Sequence, residues 1–156
     1  MWLQEKTGFL CHNMKEGTPG DLDQFDTVIY IGGIYASGIA GISYLKRNWG
    51  ILRDKKVVIL YVCASPYDEN AREAMKKYNL PELMQQVPVF YGRGAWDKEN
   101  MSFKDRTLCG ILQKAIAKKK PEELEPWMEA LLEAGDSAAD WTDPAYLEPV
   151  LNWIQG

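Results

Sequence analysis

The chain is poor in the residues from which most catalytic and metal sites are built. Its single histidine, His12, reads as a solvated or structurally satisfied side chain rather than a catalytic base. Three cysteines (Cys11, Cys63 and Cys109) are odd in number and widely spaced. That pattern argues against a disulfide framework and a zinc site, and for a reducing cytosol. No run approaches the roughly 18 apolar residues that span a bilayer. The opening MWLQEKTGFL lacks a basic stretch followed by an apolar one, so no signal peptide is read. Walker loops, the Gly-x-Gly-x-x-Gly fingerprint, a Ser-His-Asp set, suitably paired carboxylates and a metal-ligand cluster are all missing, which disfavours nucleotide-fingerprint, hydrolase and metalloenzyme chemistry.

What is present is an ordinary globular composition. The 156 residues are 46% hydrophobic and 26% charged, with a net charge of −4. That length suits one domain with a full core over residues 1–156. The charge gives no reason to expect nucleic-acid binding.

Two continuous apolar runs, TVIYIGG (27–33) and KVVILYVCA (56–64), read as buried parallel strands. QVPVFYG (86–92) reads as a third, with Pro88 placing it at an edge or delaying its start. FLCHNM (9–14) is a candidate fourth. Helical patterns fill the spaces between them. In 39–50, Ile42, Leu45 and Trp49 share a face and Gly50 is a candidate cap. In 68–79, Asp68 caps a segment with an acidic start and a basic end. In 103–120, Leu108, Ile111, Leu112, Ala115 and Ile116 form an apolar stripe. A helical segment then opens at Pro121 and is stopped by Gly135, and DPAYLEPVLNWIQ closes the chain as a capped helix. Alternating strands and helices predict an α/β class with an open, mostly parallel sheet and helices on both faces.

In such a sheet, ligands bind beyond the carboxyl ends of the strands. Three loops therefore carry the functional expectation. GGIYASGIAG (32–41) has four glycines in ten residues, which lets backbone approach a flat ligand, or simply permits a tight crossover. VCASPYDEN offers small residues and Tyr67. GRGAWDKENMSF adds Arg93 and Trp96. Small residues with an aromatic recur in all three, as a slot for a planar ring would require. Cys63 lies close by, but without a base to activate it a buried inert thiol is expected.

The stretches DQFDTVIYIGGIYASGIAGISYLKRN and LRDKKVVILYVCASP resemble the flavodoxin-domain family that includes menaquinone-dependent protoporphyrinogen oxidases. FYGRGAWDKENMSFKDRTLCGIL and DWTDPAYLEPVLNWI are similar to the same group, so the resemblance spans most of the chain in the family's order of elements. It implies a flavodoxin-like fold, noncovalent FMN, and electrons or hydride passing through the flavin. Gly33, Ile34, Tyr35, Ala36, Ser37 and Gly38 would line the ring, together with Ala64, Ser65, Pro66, Tyr67 and Trp96. Tyr35, Tyr67 and Trp96 would contact it, Ser37 and Ser65 would hydrogen-bond its polar edge, and no side-chain acid or base would be needed. A redox protein or a quinone would be the partner. A cofactor-free fold remnant or protein-interaction module is the competing reading.

EKTGF (5–9) has the look of the family's phosphate-binding turn, but no helix of about eleven residues can be fitted between it and the next strand. MWLQEKTG instead reads as the end of a helix capped by Gly8, with FLCHNM as the second strand. On that register the family's first strand and phosphate turn are absent. The expected outcomes are direct pairing of 9–14 with 27–33, strand exchange in a homodimer, or an N-terminally truncated sequence. Lys104, Arg106, Lys114, Lys118, Lys119 and Lys120 form either a solvated face or a basic surface suited to peripheral membrane contact.

Overall fold

The two longest apolar runs pair with each other at the centre of the sheet. The computed structural model describes residues 2–16, 20, 22–35 and 37–156. In it, β1 (Thr27–Tyr35) runs parallel to β3 (Lys56–Cys63), from Thr27 opposite Lys56 to Gly33 opposite Val62. β4 (Val89–Arg93) lies parallel on the other side of β3, and β2 (Gly38–Ile39) folds back antiparallel on the end of β1. The order is β2-β1-β3-β4. Pro88 stands just before β4, as expected of an edge strand with a late start. It contributes its carbonyl, which accepts the Ile59 N–H at 3.0 Å.

β3 is covered on both faces because its side chains alternate between two cores. Val57, Ile59 and Tyr61 pack with Leu45, Leu52 and Met84, whereas Val58 and Leu60 pack with Leu3, Leu147 and Val150. Each such burial is worth about 1.5–3 kcal/mol. The first core is closed by α2 (Ser43–Arg47), α3 (Trp49–Leu52) and α4 (Glu69–Asn79). The second is closed by α1 (Trp2–Thr7) and α7 (Glu148–Gln155). Helices thus cover both faces of an open, mostly parallel sheet, the expected α/β class.

MWLQEKTG is a helix end. The N–H of Gly8, at φ +70°, donates to the Gln4 carbonyl at 2.8 Å, and Leu3 is buried. The expected strand at 9–14 does not form; Phe9 to Asn13 are exposed and irregular. Asn13 supplies the reason. Its side-chain oxygen accepts the Lys15 N–H and its carbonyl accepts the Glu16 N–H, so local bonds turn the chain instead. Direct pairing of 9–14 with β1 is therefore not the arrangement adopted.

The helix expected at 39–50 is also divided. Ile39 belongs to β2, Gly41 turns the chain at φ +74°, and Gly50 lies inside α3 rather than capping anything. The break falls at Asn48, whose side chain donates to the Tyr44 carbonyl at 2.9 Å.

A small ribbon, β5 (Ala95–Trp96) with β6 (Ala139–Asp140), brackets an excursion holding α5 (Phe103–Ile116) and α6 (Pro126–Ala134). α5 ends earlier than its pattern suggested. Of its expected inward stripe only Ile116 is buried; Leu108, Ile111, Leu112 and Ala115 are exposed. The reason is topological: α5 packs on α6 rather than across the sheet. The helical segment expected from Pro121 is a 3-10 turn at Pro121–Glu123 followed by α6, because Glu125 precedes Pro126 and is extended at ψ 156°. The C-terminal segment likewise begins as a 3-10 turn, Pro144–Leu147, capped by Asp143.

Among the described residues, β1 is paired along one side only, apart from the turn back into β2. Asp26 C=O accepts from Lys56 on the β3 side, and Gly33 C=O accepts from Ala40 on the opposite side. The alternation between these two bonds directs the backbone groups of Thr27, Ile29 and Ile31 outward. Among the described residues no strand pairs with them.

Candidate functional site

The carboxyl ends of β1, β3 and β4 come together at one end of the sheet, as parallel pairing requires. Gly33, Ile34 and Tyr35 complete β1, and Gly38 starts β2, so the glycine-rich loop is a hairpin rather than an open crossover. Tyr35 pairs with Gly38, and Ser37 between them has φ +67°, an uncommon conformation for a residue with a side chain. Ala36 lies outside the described residues.

The hairpin is held from below by Asn79, at the end of α4. Its side-chain oxygen accepts the Ile39 N–H at 2.8 Å, and its amide donates to the carbonyls of Ser37 and Met75, both at 2.9 Å. Glycine is demanded at position 32, where a Cβ would sit 2.6 Å from Ile39 Cγ2. At Gly33 the situation reverses: the nearest atom to such a Cβ would be the Val62 carbonyl oxygen at 3.9 Å. Gly33 therefore presents bare, exposed backbone between the part-exposed side chains of Ile31 and Tyr35.

Tyr35 donates its hydroxyl to Asp105 at 2.7 Å, tying the hairpin to the first turn of α5. The Ser102 hydroxyl first, and then that of Tyr35, hold the Asp105 carboxyl below its usual range. The bond from Tyr35 likewise pushes its own phenol up.

After β3, Ala64, Ser65 and Pro66 run to Tyr67, which is half-exposed and donates to Glu69. That bond raises the Tyr67 phenol and lowers the Glu69 carboxyl. The Ala64 carbonyl accepts from Arg93 at 2.9 Å and the Ser65 carbonyl from Tyr91 at 2.7 Å, which ties this turn to β4. Tyr91 is an aromatic hub, with ring centroids 5.4 Å from Tyr67, 5.6 Å from Tyr61 and 5.5 Å from Tyr146. Arg93 lies 4.1 Å over the Trp141 ring. Burial raises the Cys63 thiol, in keeping with an inert role.

Trp96 belongs to the β5–β6 ribbon and donates its indole N–H to the Gly135 carbonyl at 3.3 Å. The arrangement thus joins Gly33–Tyr35, Ser37 and Gly38 in one hairpin, and Ala64–Tyr67 in the neighbouring turn. Asn79, Asp105 and Tyr91 were not anticipated. Asn79 read as an ordinary helix end, and nothing local signals its contact with a hairpin some forty positions earlier. Asp105 had a readable cue in the Ser102-x-x-Asp105 capping pattern.

A polar cleft of about 730 Å³ lies at the other end of the sheet, beside Asp26, Lys55 and Lys56. It is at the amino ends of β1 and β3, and the Lys55 ammonium there is already bound to the Asp23 and Phe25 carbonyls. No group of metal-ligating side chains occurs among the described residues.

A family model described as a flavodoxin domain matches residues 2–123. The chain belongs to the flavodoxin-domain family. Comparison with curated proteins and with solved structures gives no match. The matched span contains α1 through the 3-10 turn after α5, and with it all the residues predicted to line the cofactor. Bare backbone at Gly33, flanked by Ile31 and Tyr35, fits the flat ring system that a flavodoxin domain holds. A phosphate cradle does not occur at EKTG, where the Thr7 hydroxyl donates to the Leu3 carbonyl at 2.8 Å and accepts the Phe9 N–H.

Proposed function

We propose that this flavodoxin-domain protein binds FMN at the carboxyl ends of β1 and β3 and serves as an electron carrier or as an oxidoreductase of the protoporphyrinogen oxidase type. The observation that supports this most is the exposed strip Ile31–Gly33–Tyr35, where backbone is open to a planar ligand. Tyr35 and Tyr67, together with Trp96, would contact the ring. Gly33 and Gly38 would allow close approach, Ile34, Ala36, Ala64 and Pro66 would complete the wall, and Ser37 and Ser65 would serve the polar edge. Bound FMN supplies electron or hydride transfer; the chain's residues orient it and exclude water. The partner would be a redox protein or a quinone.

A second reading, a cofactor-free interaction module, is favoured by the helix end at EKTG. The Thr7 hydroxyl is engaged within that helix rather than at a phosphate site. Phosphate contacts are charge-assisted, and their loss weakens binding by several kcal/mol, on the order of a hundredfold or more in Kd.

Titration of the purified protein against FMN decides between the two. Saturable quenching of FMN fluorescence, weakened by Tyr35→Ala, supports the flavin reading. Absence of quenching and of visible flavin absorbance overturns it. Menaquinone-dependent oxidation of protoporphyrinogen by the loaded protein would then separate enzyme from carrier.

A further inference from the structure

α5 carries its apolar residues on the wrong side for a core. Phe103 is 86% exposed, Ile111 61%, Leu108 50% and Leu112 42%. At about 3.6 residues per turn, Lys104, Leu108, Ile111 and Ala115 share one side of the helix, with Phe103 and Lys114 on one flank and Leu112 on the other. Lys118, Lys119 and Lys120 follow directly beyond the last turn and are exposed as well. The opposite side is the one that packs: Ile116 is buried, and the Gln113 amide donates to the Leu131 and Gly135 carbonyls of the α6 region. Glu129 and Glu133 belong to α6, the helix on that packed side, rather than to α5. Asp105 is engaged by Tyr35 and Ser102. The Arg106 guanidinium donates to the Glu99 and Met101 carbonyls, which closes the loop before α5. Glu122 and Glu123 follow the lysines in the chain and are exposed too, and the Glu123 carboxylate accepts the Lys120 N–H, so the basic character is carried by Lys104, Lys114, Lys118 and Lys119.

We propose that this outward side of α5 lies on the surface of an anionic lipid bilayer. Apolar side chains enter the headgroup boundary while neighbouring lysines reach lipid phosphates along their flexible stems. The side chains themselves favour this occupant. A second copy of α5 would set lysines against lysines. A purely acidic protein surface would leave Phe103 and Ile111 without apolar cover. A bilayer interface satisfies both kinds of residue, and a net charge of −4 for the whole chain makes attraction depend on this local basic cluster rather than on overall charge. The proposal is independent of flavin binding. No helix among the described residues is long and apolar enough to cross a membrane, so the contact is with the surface.

Co-sedimentation of the full chain with vesicles tests it. Mixed phosphatidylcholine–phosphatidylglycerol vesicles should carry the protein down at low salt, and pure phosphatidylcholine vesicles should not. Phe103→Ser with Ile111→Ser should lower partitioning at least tenfold. Lys114→Glu and Lys118→Glu should each lower it about fivefold, with far-UV circular dichroism unchanged in every variant. Equal binding to neutral vesicles, or no binding to anionic ones, overturns the proposal. So does self-association that Ile111→Ser abolishes without any vesicle binding.

Discussion

Asn79 accepts the backbone N–H of Ile39 at 2.8 Å, from a side chain that is only 3% exposed. One amide therefore joins the end of α4 to the β1–β2 hairpin, and the same amide holds the Ser37 carbonyl. Asn79→Ala would strand the buried Ile39 N–H and take the amide donor from the Ser37 carbonyl. Each unsatisfied group costs about 1–3 kcal/mol, part of it relieved by water. We expect a loss of about 2–4 kcal/mol in chemical denaturation, together with weaker flavin quenching, because the hairpin loses its anchor.

The Tyr35–Asp105 bond gives an acid-sensitive contact between the hairpin and α5. The folded state favours the Asp105 carboxylate, so its contribution is complete above the ordinary aspartate value of 3.8 and disappears as pH falls through the lower folded value. Near-ultraviolet circular dichroism of Tyr35 should change in that acid window in the parent protein. Asp105→Asn should remove that step while leaving the rest of the acid transition in place.

Tyr61 and Tyr91 act at the other extreme. Burial raises both phenols well above the ordinary tyrosine value of 10.0. The folded protein thus holds protons that the unfolded chain releases, and stability is full below pH 10 and falls as pH rises further. Alkaline unfolding followed by tyrosinate absorbance should be cooperative, and Tyr91→Phe, although it gives up the bond to the Ser65 carbonyl, should make the fall of stability above pH 10 shallower.

Gly32 and Ser37 predict opposite responses within one hairpin. Gly32→Ala drives a methyl to 2.6 Å from Ile39 Cγ2 and 3.0 Å from the Ala40 carbonyl oxygen. We expect it to cost about 1–3 kcal/mol. Ser37→Gly relaxes a residue at φ +67° and should range from neutral to stabilising by about 1 kcal/mol. If the Ser37 hydroxyl serves the flavin edge, the same change lowers FMN affinity, which the quenching titration would read separately.

The parts of this fold that the sequence made legible are those in which a local pattern and its burial agree. β3 is apolar from Val57 onward because it is covered on both faces, and Asp68 caps α4 through the Ala71 N–H at 2.7 Å. The stripe on α5 was misleading because periodicity records amphipathicity without saying what lies opposite, and here no sheet does. FLCHNM failed as a strand because Asn13 satisfies backbone groups locally. The backbone hairpin that forms the candidate site was hidden for a similar reason. Its glycines signal a turn, but the return pairing of Tyr35 with Gly38 depends on Asn79, a residue remote in the chain.

The outer edge of β1, which no strand among the described residues covers, also bears on how the protein behaves at concentration. From Thr27 to Gly33 the strand carries neither a charge nor a proline, the two usual guards against strand addition by a foreign chain. Such a segment can template cross-β growth whenever unshielded copies meet. Concentrated stocks should therefore develop thioflavin-positive aggregates with time. Ile31→Lys, at a position already 39% exposed, should delay their onset with little loss of fold stability, making shelf life the most direct readout of that bare edge.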